Sequence, residues 1–326
     1  MSGRYPTGML LLLGLLCLAS LGISLVSGSV QLTAVQVWNA LWYPGSDLAS
    51  QVIHQLRLPR SLAALTTGGL LALAGCLMQV LVRNPLADPY ILGISGGASV
   101  AALLAMLIGI GGTALTGSAF IGALLAMFLV FALSRGAGQW NSNRLLLTGV
   151  VLAAGWGATI GFILNLSPDS SLQRMMFWLM GDLGFAQPTR LPGFILLLGL
   201  LAALLLARQL NVLTRGELVA GSLGVRTDRL HLVIFVLASL LTATAVTQAG
   251  SIGFVGLVVP HLIRLLGYHD HRILLPAATL LGASLLLLAD TVARTLLAPQ
   301  QLPVGILTAF IGVPLFLYLL YRGERQ

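Results

Sequence analysis

The sequence predicts an all-α, polytopic membrane protein of about ten transmembrane helices, with both termini cytoplasmic and nothing soluble attached. Three observations predict it. Hydrophobic residues make up 57% of the chain and charged residues only 8%; ten apolar runs follow one another; and the arginines sort to alternate sides of those runs. Soluble domains carry about 25% charged residues, so the deficit makes lipid the main solvent. In hydrocarbon each backbone N–H and C=O needs an internal partner, which leaves helices as the form that runs of this length can take.

The elements follow in order. The apolar run Gly8–Val26 comes after Arg4. It exceeds the ~7–15 residues of a signal-peptide core and reads as a retained first helix. The ten spans fall near 8–28, 60–82, 90–110, 114–134, 145–166, 191–209, 230–249, 253–266, 272–297 and 303–321. The eighth is short for a crossing, which takes ~20 residues. Segment 29–59 carries Trp38, Trp42 and Tyr43, residue types that favour the membrane interface. Segment 167–190 contains LQRMMFWLMGDL and predicts a short interfacial helix. Segment 210–229 interleaves Leu218, Val219, Leu223 and Val225 with charges, and allows one or two short helices broken at Gly221 or Gly224. Gly157 and Gly161 form a GxxxG pair, and Gly68, Gly69 and Gly75 thin another helix; small residues of this kind read as close-packing surfaces.

Charge fixes the orientation. With a cytoplasmic N-terminus and ten crossings, Arg4, Arg83, Arg135, Arg144, Arg208, Arg215, Arg226, Arg229, Arg264, Arg272, Arg322 and Arg325 fall inside. Arg57, Arg60, Arg174, Arg190 and Arg294 fall outside, and twelve against five obeys the positive-inside rule. The net charge of +8 is scattered between apolar runs, which suits an anionic leaflet and not nucleic acid. All 17 basic residues are arginine. Without lysine there is no phosphate-loop lysine and no imine-held cofactor, so any ATP must be bound by another chain and no cofactor is expected.

Candidate chemistry is sparse. Of nine acids only Asp290 lies well inside a span, four residues before Arg294 and therefore on the same helix face, where a local ion pair is the plain reading. The lack of a second intramembrane carboxylate weighs against a proton-coupled carrier, although sodium coupling through backbone carbonyls stays open. His269-Asp270-His271 reads as a solvated turn and no metal site is expected. His261, after Pro260, reads as a buried imidazole bonded across helices. Cys17 and Cys76 read as small buried hydrophobes. No HExxH or GxSxG motif anchors a membrane-enzyme reading.

Several stretches taken together resemble one family: RLPR (57–60), NPLADPYILGISGGA (84–98), NRLLLTGV (143–150), FWLMGDL (177–183), GELVAGSLGV (216–225), the run 250–294 beginning GSIGFVGLVVPHLIR, and LPVGILTAFIGVPLF (302–316). The sequence resembles the permease subunits of bacterial type II ABC importers, which take up iron–siderophore complexes, haem and cobalamin. The resemblance runs nearly end to end and implies one permease domain over 1–326, in the bacterial inner membrane.

It also implies partners: cytoplasmic ATP-binding subunits, a periplasmic or lipid-anchored substrate-binding protein, and a second copy or a related permease. The 216–225 stretch matches the family's coupling helices, which carries ATPase contact onto Glu217, Leu218, Ala220, Leu223 and Gly224. The arginines that meet acidic residues of the binding protein map to Arg57, Arg60 and Arg294. The cytoplasmic gate maps to Asn84 and Leu86 and to Ser142 and Asn143, the last standing where some relatives carry a small hydroxyl residue. The expected function is ATP-driven import of a metal chelate (ferric siderophore or haem) by alternating access, with cobalamin as the alternative cargo and an ion-coupled carrier as the alternative class.

Overall fold

The computed structural model describes residues 6–134, 142–187 and 189–323. Arg4, Arg135 and Arg325, three of the arginines used to orient the chain, lie outside them. Among the described residues every regular element is helical. Seven helices are long and apolar enough to cross a bilayer, and three shorter apolar ones complete the ten predicted spans.

The first crossing is α1 (Pro6–Val26). After it, α2 (Ala34–Trp42) starts at a capping box, with Thr33 and Gln36 exchanging side-chain-to-backbone bonds, and it exposes Trp38 and Trp42 as expected of an interfacial segment. The second crossing begins earlier than the predicted 60. It is one rod over 48–82, made of α3 (Leu48–Gln51), a π-helical turn over Val52–Arg57, and α4 (Leu58–Val82). Pro59, in the first turn of α4, needs no backbone donor there.

The chain continues through α5 (Ile94–Leu107), α6 (Gly112–Ser134), α7 (Ser142–Leu166), the predicted short helix α8 (Asp169–Leu179) and α9 (Leu191–Leu213). It closes with α10 (Glu217–Ser222), α11 (Thr227–Ala249), α12 (Val255–Leu265), α13 (His271–Thr295) and α14 (Val304–Gly323).

Helix α4 is buried on nearly every side from Thr67 to Val82 and is the centre of the bundle, wrapped by α9, α11, α12 and α13. Glycine permits that depth of burial. A Cβ on Gly68 would overlap the Gly282 carbonyl of α13, and one on Gly75 would overlap the Gly256 carbonyl of α12. Backbones meet directly at both places, as the glycine pattern of this helix predicts. The Gly157–Gly161 pair behaves otherwise. It lies on the largely exposed face of α7 with nothing within 4 Å of either position, so within one chain it packs against nothing.

Two of the short helices are short for a shared reason. Segments 84–93 and 250–254 are not α-helical and fold back into the bundle ahead of α5 and α12. A Cβ on Gly256 would lie 2.7 Å from Pro89 and 2.9 Å from the Leu71 carbonyl, so Pro89 sits level with the middle of α4. The Tyr90 hydroxyl accepts a 3.1 Å bond from the Ile252 N–H, a donor that no helix supplies with a partner. Irregular backbone at membrane depth persists where protein satisfies it in this way. The predicted span at 90–110 therefore contains only 14 α-helical residues, over 94–107.

Helix α1 runs toward Arg294, which its Ser24 touches, and α14 starts beside Gly181 on the same side. The start of α1 and the end of α14 therefore share the opposite end of the bundle with α10.

Candidate functional sites at the two ends of the bundle

At one end the three singled-out arginines converge. Arg57, Arg60 and Arg294 line one cavity of about 300 Å³, together with Leu183, Pro299 and Gln301. None is a loose surface side chain. Arg57 is 4% exposed and donates 2.7 Å bonds to the Leu25 and Val26 carbonyls and a further bond to that of Val30. Arg294 is 8% exposed; its Nε lies 2.9 Å from Asp290 and its Nη2 donates to the Ser24 hydroxyl at 2.9 Å. Arg60 reaches Asp290 at 3.0 Å, Asp182 at 3.3 Å and the Gln301 amide oxygen at 2.8 Å.

The local Asp290–Arg294 pair read from the i,i+4 spacing is present, yet it is half of the arrangement. Asp290 is 0% exposed and both of its oxygens are taken by two guanidiniums. Burying a carboxylate this deeply is costly unless it is paired and hydrogen-bonded, as this one is. Asp182, Gln301 and Ser24 join this cluster without being marked out by the sequence. Asp182 carries a local signal, since it caps the turn at Leu183–Phe185 by accepting from the Gly184 N–H at 2.8 Å. Nothing in its neighbourhood announces a partner 122 positions away.

At the other end stands α10. Gly216, at φ 115, turns the chain into it, and Gly224, at φ 80, turns it out; a side chain would be strained at both. One helix results, broken at Gly224 and not at Gly221. Its five singled-out residues divide by what they touch. Ala220 is buried and seats the helix on the bundle, and Glu217 pairs with Arg83 at the end of α4 (3.2 Å) and approaches His231 of α11 (3.7 Å). Leu218 is 92% exposed and Leu223 is exposed beside Gly224, so two leucines face outward from a clamped turn.

The residues expected to form a gate lie at this end too. The Asn84 side chain accepts from the Leu86 N–H at 2.9 Å and closes a tight turn after Arg83. Asn84 is exposed and Leu86 half-buried; Asn143 is exposed at the start of α7. No hydrogen bond joins Asn84 or Leu86 to Asn143 among the described residues, and the Ser142 side chain lies outside them. Just beyond, the Asp88 carboxylate accepts a 2.8 Å bond from the Tyr90 N–H and caps the turn that leads to α5.

Two histidine readings are revised. His269 and Asp270 are exposed as expected of a turn, but His271 is buried at the start of α13 with Nδ1 2.6 Å from the Asn211 side-chain oxygen. The Asn211 amide also donates to Asp270 at 2.7 Å. Partial burial would raise the Asp270 carboxyl, but the Arg272 N–H and Asn211 outweigh it and hold Asp270 below its usual value. His261 makes no cross-helix bond through Nδ1. That bridge belongs to Gln79 of α4, which donates to the Leu257 carbonyl at 3.2 Å and accepts from Arg264. No cluster of metal-ligating residues occurs among the described residues.

Comparison with known proteins now decides the family. The profile of the FecCD transport family matches residues 15–322. The chain belongs to the FecCD transport family. As a FecCD permease of a type II ABC importer it is a multi-pass membrane protein and a transport subunit. It is 42% identical to the hemin transport system permease protein HmuU of Yersinia pestis, over 100% of this chain and 99% of that one. It is 40% identical to the vitamin B12 import system permease protein BtuC of Klebsiella pneumoniae, over 99% and 95%. A solved inward-facing metal-chelate type ABC transporter matches with a TM-score of 0.86 and 35% identity, covering 97% of this FecCD chain and 99% of its own.

Proposed function

We propose that this permease forms half of the pathway of an ATP-driven importer for a metal chelate, a ferric siderophore or haem, and that ATP is bound and hydrolysed by separate cytoplasmic subunits gripping α10. The observation that carries this reading is the division of α10 into a fixed and a presented side. Leu218 stands 92% exposed on a helix held to α4 by the Glu217–Arg83 pair. An exposed leucine on a clamped turn offers apolar area that a partner can bury without first ordering the turn. ATP binding favours one of two arrangements of the bundle, and movement at α10 passes to the helices it is pinned to.

This reading puts α10 and both termini in the cytoplasm, in line with the arginine count. A substrate-binding protein, periplasmic or lipid-anchored, docks at the opposite end over the cavity of Arg57, Arg60 and Arg294. Three cations around two carboxylates leave that cavity net positive, which suits an acidic partner. A second copy of the chain, or a related permease, covers the open face of α7, where Gly157 and Gly161 have no neighbour. Cobalamin is the alternative cargo: the haem and B12 permeases stand at 42% and 40% identity and do not separate the two. An ion-coupled carrier is disfavoured because the chain matches a family of ABC importer permeases over nearly its whole length.

The deciding experiment is reconstitution with the cognate ATPase and binding protein, followed by uptake of labelled haem, ferric siderophore and cobalamin. Uptake that persists with a hydrolysis-dead ATPase would sink the proposal. Leu218→Asp is expected to weaken ATPase association at least about tenfold, since a carboxylate carried into an apolar pocket loses its hydration without a partner, and to leave the fold intact. Normal assembly of that variant would remove α10 from the interface.

The docking surface calls for a gentler test, because replacing Arg57 or Arg294 would unseat α1. Gln55 is exposed at the rim of the cavity. Gln55→Glu is expected to slow binding-protein association roughly fivefold at low salt, with the difference fading at high salt. An unchanged on-rate would move the docking site elsewhere.

A further inference from the structure

We propose that the permease carries a site for an anionic phospholipid headgroup between the end of α9 and the start of α11, next to α10. A cavity of about 620 Å³ opens there, and three arginines line it: Arg208 from α9, Arg226 just before α11 and Arg229 in its first turn. No carboxylate lines it, and none of the three guanidiniums makes an ion pair among the described residues. The remaining walls are largely apolar, with Leu206, Leu230 and Val233 on the membrane side.

The placement identifies the occupant. Both flanking helices are 23 residues long and apolar enough to cross a bilayer, and the cavity lies by the end of one and the start of the other, where a span of this length reaches the headgroups. A ligand that fits must offer phosphate oxygens to three guanidiniums and an apolar tail to the leucine and valine wall. A phospholipid of net negative charge does both, and a basic pocket between membrane helices is the kind of surface that takes one. Arginine is suited to the phosphate because its planar fork meets two oxygens at once. Leu223 and Gly224, at the end of α10, line the same cavity, so a bound headgroup would brace the turn that follows α10.

The test uses the full chain purified in detergent, with phosphatidylglycerol, phosphatidylcholine or sodium phosphate added and bound lipid quantified after gel filtration. Phosphatidylglycerol is expected to be retained in preference to phosphatidylcholine, and free phosphate should compete with it only weakly because it lacks the tail. Arg208→Gln, Arg226→Gln and Arg229→Gln are each expected to cut that preference about fivefold, following the ~1 kcal/mol worth of one arginine near an anionic headgroup. Arg272→Gln, an exposed arginine outside the cavity, should leave it unchanged. Equal retention of the two lipids overturns the proposal, as does equal loss in the Arg272 variant, which would mean diffuse charge. Full competition by phosphate would mean an anion site without a lipid. Loss of ATPase assembly in the three variants with lipid preference intact would give the cavity to the ATPase.

Discussion

Asp290→Leu is expected to destabilise the purified permease by about 3–5 kcal/mol, the usual penalty for removing one partner of a buried ion pair. Arg60 would keep Asp182 and Gln301. Arg294 would be left almost wholly buried, with hydroxyl and carbonyl oxygens in place of its carboxylate. The double variant Asp290→Leu, Arg294→Met should recover more than half of the loss, because it removes the orphaned charge together with its partner. Reversible unfolding in detergent measures both. A single-variant loss below about 1 kcal/mol, or a double variant no better than the single one, would mean that the carboxylate does not hold α1, α4 and α13 together.

Gly75→Val is the second large effect. The new side chain would run into the Gly256 carbonyl, which is backbone and cannot swing aside as a side-chain tip can. Overpacking costs typically about 1–3 kcal/mol where side chains can adjust, and this contact should reach or exceed the top of that range. Helices α4 and α12 would have to separate, drawing the Gln79 bridge and the Pro89 turn with them. Gly14→Val on α1, with nothing within 4 Å, is the matched control and should stay within about 0.5 kcal/mol. Equal stability of the two variants would contradict the direct backbone contact.

Much of the fold was legible because lipid simplifies the reading. Apolar length marks each crossing, and the interfacial helices at 34–42 and 169–179 were marked by aromatic residues between runs. What stayed hidden was depth. Nothing in NPLADPY says that Pro89 turns back to the middle of α4, because a proline-rich stretch at a membrane surface and one folded inside a bundle obey the same local rules. The start of the second crossing was missed for a related reason. His54, Gln55 and Arg57 look like a loop by hydropathy, yet they continue a helix whose arginine finds carbonyls of α1.

The sites were legible as residue types and much less as contacts. Resemblance pointed to Arg57, Arg60 and Arg294, and they do share a cavity. That each is also tied into the chain depends on partners at separations of 32, 230 and 270 positions, which no local pattern encodes. Glu217 and Leu218 are adjacent and opposite in role, one bound inward and the other presented, and only the seating of Ala220 decides which is which.

The uninterrupted rod over 48–82 has a mechanical consequence. It bears Arg60 in the arginine-lined cavity near one end and Arg83, the partner of Glu217, just past the other. At 1.5 Å of rise per residue those two lie about 35 Å apart along a single stiff shaft. A tilt imposed at the lower bearing must displace the upper one, with no hinge between them to absorb it. The two ends of the bundle are thus joined by one stiff helix, held near its middle by the direct glycine contacts with α12 and α13.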